Sequence, residues 1–159
     1  MSMSIRRAAL VRAGEGPAVR WGRDGVIRIL AGAESTDRSF SIVEITEQPG
    51  SAAPLHVHHG EAEGFYILDG AIELTCGEET VTAQAGDFVY APKDLPHKYA
   101  VVGEQPARAL LLFSRPGFES FFVEAGSPLD REPTGPPDLQ AFQRIVDSYD
   151  MELLETPDH

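Results

Sequence analysis

The 159 residues carry 42% hydrophobic side chains and a formal net charge of −12. That is enough apolar material for one core, and the acidic balance excludes nucleic acid and anionic membrane surfaces as partners, since both need clustered Lys and Arg. Lys93 and Lys98 are the only lysines, and from Asp130 onward eight acidic residues face two arginines, which reads as a solvated acidic surface. The lone Cys76 excludes an intramolecular disulfide and a cysteine-based zinc cluster. Its flanking residues suggest a strand end and turn, so a partly exposed structural thiol is expected. The N-terminal stretch has no apolar run of signal-peptide length and no segment is long enough to span a bilayer, so the expected location is the cytoplasm.

In chain order the sequence predicts mostly short strands. Ala18 to Trp21 and Val26 to Ala31 flank a hairpin-like turn at Gly22 to Gly25. Phe40 to Thr46 is a stronger strand, ended by Pro49-Gly50. Leu55 to His58 and Glu63 to Leu68 follow, then the tight turn Asp69-Gly70 into Ala71 to Thr75. Thr80 to Ala83, Asp87 to Ala91, Lys98 to Val102 and Ala107 to Phe113 complete the set, with a Pro-bounded loop at Pro92 to Pro96. Close, regular turn signals without intervening helical periodicity indicate an all-β antiparallel sandwich or barrel.

The pattern changes at Pro116. Phe118, Phe121 and Phe122 have helical spacing, and Pro116 with Glu119 suits a first turn. A second helix is predicted from Pro136-Pro137-Asp138, with Leu139, Phe142, Ile145, Val146 and Tyr149 forming one apolar stripe. Both helices are expected to pack on the barrel. The sharper expectation is that Phe118, Phe121 and Phe122 close a barrel mouth and help line an apolar pocket.

The chemistry concentrates between Gly50 and Gly70, which hold three of the five histidines. His56 and His58 are two apart, so on a strand both imidazoles face one way. Glu63 opens the returning strand after a short break. His97 stands at the start of a later strand, behind the Pro92 to Pro96 loop. Three imidazoles and a carboxylate suit Fe, Mn, Co, Ni, Cu or Zn, with positions left for water, substrate or dioxygen. His59 has the opposite parity to His58 and is expected on the surface or behind the ligands. His159 is terminal and is expected to take no part. Glu61 competes with Glu63 for the metal, and Glu63 is favoured because it begins the strand. Phe65 shares parity with Glu63, and Tyr99 and Val101 with His97, so these three join the pocket candidates, with core packing as the alternative. Arg28 is expected on the outer face; pointing inward, it would hold an acidic substrate.

These residues resemble the cupin motifs. Gly50, His56, His58, Glu63 and Gly70 meet every spacing of the first motif, and Gly86, Pro92 and His97 match the second in register. Asp94 stands where the second motif has a loop glycine, and Val101 where it has asparagine. The motifs cover Gly50 to Val101, about a third of the chain. The resemblance implies a cupin double-stranded β-helix, a jelly-roll barrel with one or two C-terminal helices packed on it. It implies a single cupin domain over 1–159, with a barrel core at 40–113, N-terminal strands at 18–31 and helices within 116–150. Sheet-mediated homodimers are common in this family, and the N-terminal strands offer an edge for pairing.

A weaker similarity is to small cupins of the quercetin-dioxygenase-like type. It implies one divalent first-row metal held by His56, His58, Glu63 and His97, and oxygenolytic cleavage of a small phenolic or enolic substrate. Glu63 would then also serve as base for the substrate hydroxyl. Two other readings stay open on the same site: a metal-dependent isomerase, cyclase or decarboxylase, and a non-catalytic small-molecule-binding cupin.

Overall fold

A computed structural model of the chain describes residues 7–157; residues 1–6 and 158–159, His159 included, lie outside the described part. Eleven strands and two helices follow in the order β1 (Ala18–Trp21), β2 (Gly25–Ala31), β3 (Ser41–Glu47), β4 (Ala52–His58), β5 (Glu63–Asp69), β6 (Ala71–Cys76), β7 (Glu79–Gln84), β8 (Phe88–Ala91), β9 (His97–Val102), β10 (Ala107–Phe113), α1 (Glu119–Ala125), α2 (Leu139–Ser148) and β11 (Met151–Leu153).

The strands form two antiparallel sheets facing each other. One has the order β1-β2-β3-β10-β5-β8 and the other β11-β4-β9-β6-β7. Alternate side chains fill the space between them, as the strand period dictates. From β3 these are Ser41, Val43, Ile45 and Glu47; from β10, Ala107, Ala109, Leu111 and Phe113; from β9, His97, Tyr99 and Val101. The opposite parity is largely outside. Arg28 is there as expected, donating from Nη1 to the Gly16 carbonyl at 3.0 Å.

Turn chemistry fixes how the strands return. Gly70 has φ +73, and a Cβ there would collide with the Pro106 carbonyl, so this turn demands glycine. Asp94 takes the place of the motif's loop glycine by adopting φ 67 itself, a conformation that Asp tolerates better than most residues. Its N–H donates to the His58 carbonyl at 2.9 Å, and its carboxylate is 2.7 Å from His59 Nδ1. The loop over the histidines therefore keeps its course without the glycine.

Both helices lie where the apolar spacing placed them, with trimmed starts. α1 begins at Glu119, because Phe118 is its cap residue. Asp138 caps α2, its Oδ1 accepting from the Ala141 N–H at 2.9 Å. Phe40 precedes β3 and is exposed rather than in the strand. Strand β11 has no counterpart in the sequence-based expectation. It pairs Met151, Glu152 and Leu153 with His58, Val57 and His56, and so covers the edge of the histidine-bearing strand. The edge of β1 is also partly taken, because Arg20 exchanges backbone hydrogen bonds with Ser127 at 2.7 and 3.1 Å.

Candidate metal centre

Three strands converge at one end of the barrel. β4 carries His56 and His58, β9 carries His97, and the β4–β9 register sets His56 opposite His97. Glu63 comes from the other sheet, where it lies between Phe113 and Ala91. One ligating atom from each of the four residues lies within 4.8 Å of the others. All four are buried, with His97 only 1% exposed. The imidazole rings are 4.4 Å apart for His56 and His97, 4.9 Å for His56 and His58, and 5.3 Å for His58 and His97.

Each histidine is anchored through Nδ1. His56 Nδ1 is 2.7 Å from the Pro54 carbonyl, His58 Nδ1 is 2.7 Å from Glu61 Oε1, and His97 Nδ1 is 3.3 Å from the Leu95 carbonyl. A neutral imidazole that donates from Nδ1 offers its Nε2 lone pair. Glu63 Oε2 lies at the centre, 3.1 Å from His58 Nε2 and 2.9 Å from His97 Nε2. Three imidazoles anchored at Nδ1 with Nε2 turned inward, beside one ionised carboxylate, fit a borderline transition metal that would replace the Nε2 protons.

Charge is strongly redistributed here. Burial, together with neighbouring His97 and His58, lowers the His56 pKa to about 4. Burial also opposes charge on His58, yet hydrogen bonds to Glu61 and Glu63 outweigh it and raise its pKa to about 9. Burial likewise pushes the Glu63 carboxyl up, but the hydrogen bonds of His58 and His97 win and hold it well below its usual range.

The expected pocket residues divide. Phe118 reaches the site, its ring 5.2 Å from His58 and 4.4 Å from Phe113. Phe65 lies 6.1 Å from His97. Tyr99 is one layer deeper, 6.0 Å from Phe65, and hydrogen-bonded to buried Glu47. Val101 is deeper still in the core. Phe121 and Phe122 pack on Trp21 at 5.8 and 5.2 Å, on the side of α1 that docks to β1. A surface groove of about 300 Å³ lies on the other side of the histidine sheet, lined by Glu73, Lys98 and Glu155 among others, with none of the four candidate ligands.

Outside the cluster, His59 is half-exposed, held between Asp94 and Glu152. Burial pushes the half-buried Cys76 thiol up, the opposite of what a nucleophile requires. Glu61 and Glu47 are two buried carboxylates whose environment the sequence did not disclose. Glu61 has one visible signal, its place three residues after His58.

Residues 43–113 match the cupin domain family model. This chain belongs to the cupin superfamily. Over 90 residues the cupin is 40% identical to quercetin 2,3-dioxygenase of Bacillus subtilis, spanning 57% of this chain and 26% of that protein. It is 34% identical over 70 residues to an uncharacterized protein of Methanocaldococcus jannaschii, 44% of this chain and 56% of the other. The chain thus spans between about a quarter and just over half of these curated relatives. Among solved structures, KdgF from Halomonas sp. superposes with a TM-score of 0.63 at 19% identity, covering 70% of this chain and 99% of that one, a likeness of fold. Oxalate decarboxylase from Bacillus subtilis superposes with a TM-score of 0.55 at 27% identity, covering 62% of this chain and 27% of that one.

Proposed function

We propose that this cupin is a metal-dependent dioxygenase acting on a small phenolic or enolic compound, with His56, His58, Glu63 and His97 holding one divalent first-row metal. The observation that carries the reading is the buried convergence of three Nδ1-anchored imidazoles on the Glu63 carboxylate. The 40% identity to quercetin 2,3-dioxygenase over 90 residues supports the reaction type. When bound, the metal would supply a Lewis acid for a substrate oxyanion and a centre for dioxygen.

Glu63 is the base in this reading. Its carboxyl is held ionised by hydrogen bonds from His58 and His97. An ionised carboxylate at this buried position can take the proton of a substrate hydroxyl. Phe118 and Phe65 form apolar walls beside the histidines and would exclude water from the reacting end. The deciding experiment screens hydroxylated aromatic and enolic compounds with the metal-loaded protein, aerobically and anaerobically. Stoichiometric dioxygen uptake is expected. Turnover at the same rate without dioxygen overturns the reading.

That outcome would instead support a non-oxidative enzyme on the same residues, a decarboxylase, isomerase or cyclase. The likeness to oxalate decarboxylase at 27% identity supports this second reading. Ligand binding without conversion would leave a binding cupin. No helix among the described residues is long and apolar enough to cross a membrane. We also infer a homodimer, supported by the exposed aromatic side chains Tyr66, Phe88 and Tyr90 on the outer face of β5 and β8.

A further inference from the structure

We propose that Glu61 is the positioning residue of this centre, its carboxylate fixing His58 so that Nε2 is offered to the metal. The inference rests on the metal-binding reading above.

His56 and His97 are steered by backbone carbonyls two residues before them, from Pro54 and Leu95. Those acceptors come with the strand itself. His58 differs, because its Nδ1 meets a side chain, Glu61 Oε1, at 2.7 Å. Glu61 occupies the turn between β4 and β5, where an acidic side chain would ordinarily face water. Instead it is 1% exposed. Its second oxygen has no hydrogen-bond partner among the described residues. That oxygen faces the Arg115 guanidinium only at 3.8 Å, on a side chain that is itself half-exposed.

A buried carboxylate with one hydrogen bond is an expensive way to hold a turn. The expense makes sense at a metal centre. Glu61 and Glu63 lie at opposite ends of the same imidazole. A cation beside Nε2 would sit in line with the Glu61 charge, transmitted through the ring. Such a carboxylate–imidazole pair fixes the tautomer and increases ligand basicity.

The test uses Co(II) titration of the metal-free full chain, read by visible absorption and chelator competition. Wild type is compared with Glu61→Ala, Glu61→Gln and His56→Ala. Glu61→Ala should weaken Co(II) binding by about 10- to 100-fold and alter the ligand-field spectrum. Glu61→Gln should recover most of the affinity, since its amide oxygen still accepts from Nδ1–H. Thermal melts of the metal-free proteins establish that each variant is folded. Affinity of Glu61→Ala within about twofold of wild type, against that expected loss, overturns the proposal. So does Glu61→Gln binding no tighter than Glu61→Ala. Wild type taking up no more Co(II) than His56→Ala would overturn the metal reading as well, which separates the two failures.

Discussion

His97 Nε2 lies 2.9 Å from Glu63 Oε2, although 34 positions separate the two residues and they belong to different sheets. The contact ties the sheets together at the end where His56 and His58 also arrive. On the proposed metal reading, each of the four residues is needed. Protein purified without added metal should contain close to one first-row metal per chain, while His56→Ala and His97→Ala should lose most of it. Elemental analysis of the three proteins decides this. Equal metal in wild type and His56→Ala would remove the basis of the site.

Metal affinity should depend steeply on pH. In the metal-free protein His58 keeps its proton up to about 9, held by Glu61 and Glu63 against the burial that opposes it. A metal must displace that proton, so log affinity should rise by about one unit per pH unit through neutrality and flatten near the His58 pKa. Below about 4 His56 takes up a proton too, and the dependence should steepen. Chelator competition across this range measures the slope, and a flat profile at neutral pH would contradict it.

Much of this architecture was legible because strand parity and turn residues agree with each other. His56, His58 and Glu63 could be grouped from spacing, and His97 joined them through its strand-start position. Phe118 was placed on an apolar helix, but its distance from His58 depends on how α1 docks, which spacing does not encode. β11 was not readable. Met151 to Leu153 is three residues long and directly follows α2, and only the free edge of β4 gives it a reason to be a strand. Spacing alone leaves Glu61 open as a competing ligand. Its role depends on burial, and turn residues do not announce burial. Glu47 falls one residue past the expected strand end at Thr46, yet the inward parity of β3 carries through to it.

Glu47 should therefore cost stability at neutral pH. Burial raises its carboxyl pKa and the Tyr99 hydrogen bond only partly opposes this, while its second oxygen has no hydrogen-bond partner among the described residues. A carboxyl raised in the folded state destabilises as pH climbs through and above its ordinary range. Glu47→Gln keeps an acceptor for Tyr99 and removes the charge. It should gain on the order of 1 kcal/mol at pH 7, and the gain should vanish once the medium is acidic enough to protonate Glu47 in both states. Urea unfolding at the two pH values measures the difference. A variant equally destabilised at both would show that the charge is not the issue.

The homodimer should be visible in solution. Light scattering at micromolar concentration should give about twice the 17.3 kDa chain mass. Phe88 and Tyr90 are 56% and 60% exposed on β8, so Tyr90→Glu places a charge on the aromatic face and should shift the mass toward the monomer. The β1 edge is the weaker candidate, because Arg20 is already paired with Ser127. A monomeric wild type would refute the dimer outright.

Phe118 links the C-terminal layer to the centre. Its ring contacts His58 at 5.2 Å, Phe113 at 4.4 Å and Phe121 at 5.4 Å, and it is 1% exposed. Truncation removes a large buried ring and leaves a cavity beside a candidate ligand. Phe118→Ala should cost about 3–5 kcal/mol. Val123 is on α1, the helix that Phe118 caps, but is 50% exposed, and Val123→Ala should stay within about 0.5 kcal/mol. Denaturant unfolding of the metal-free variants compares the two. If Phe118→Ala were no more costly than Val123→Ala, α1 would not be seated against the histidines, and the apolar wall assigned to the reacting end would fall with it.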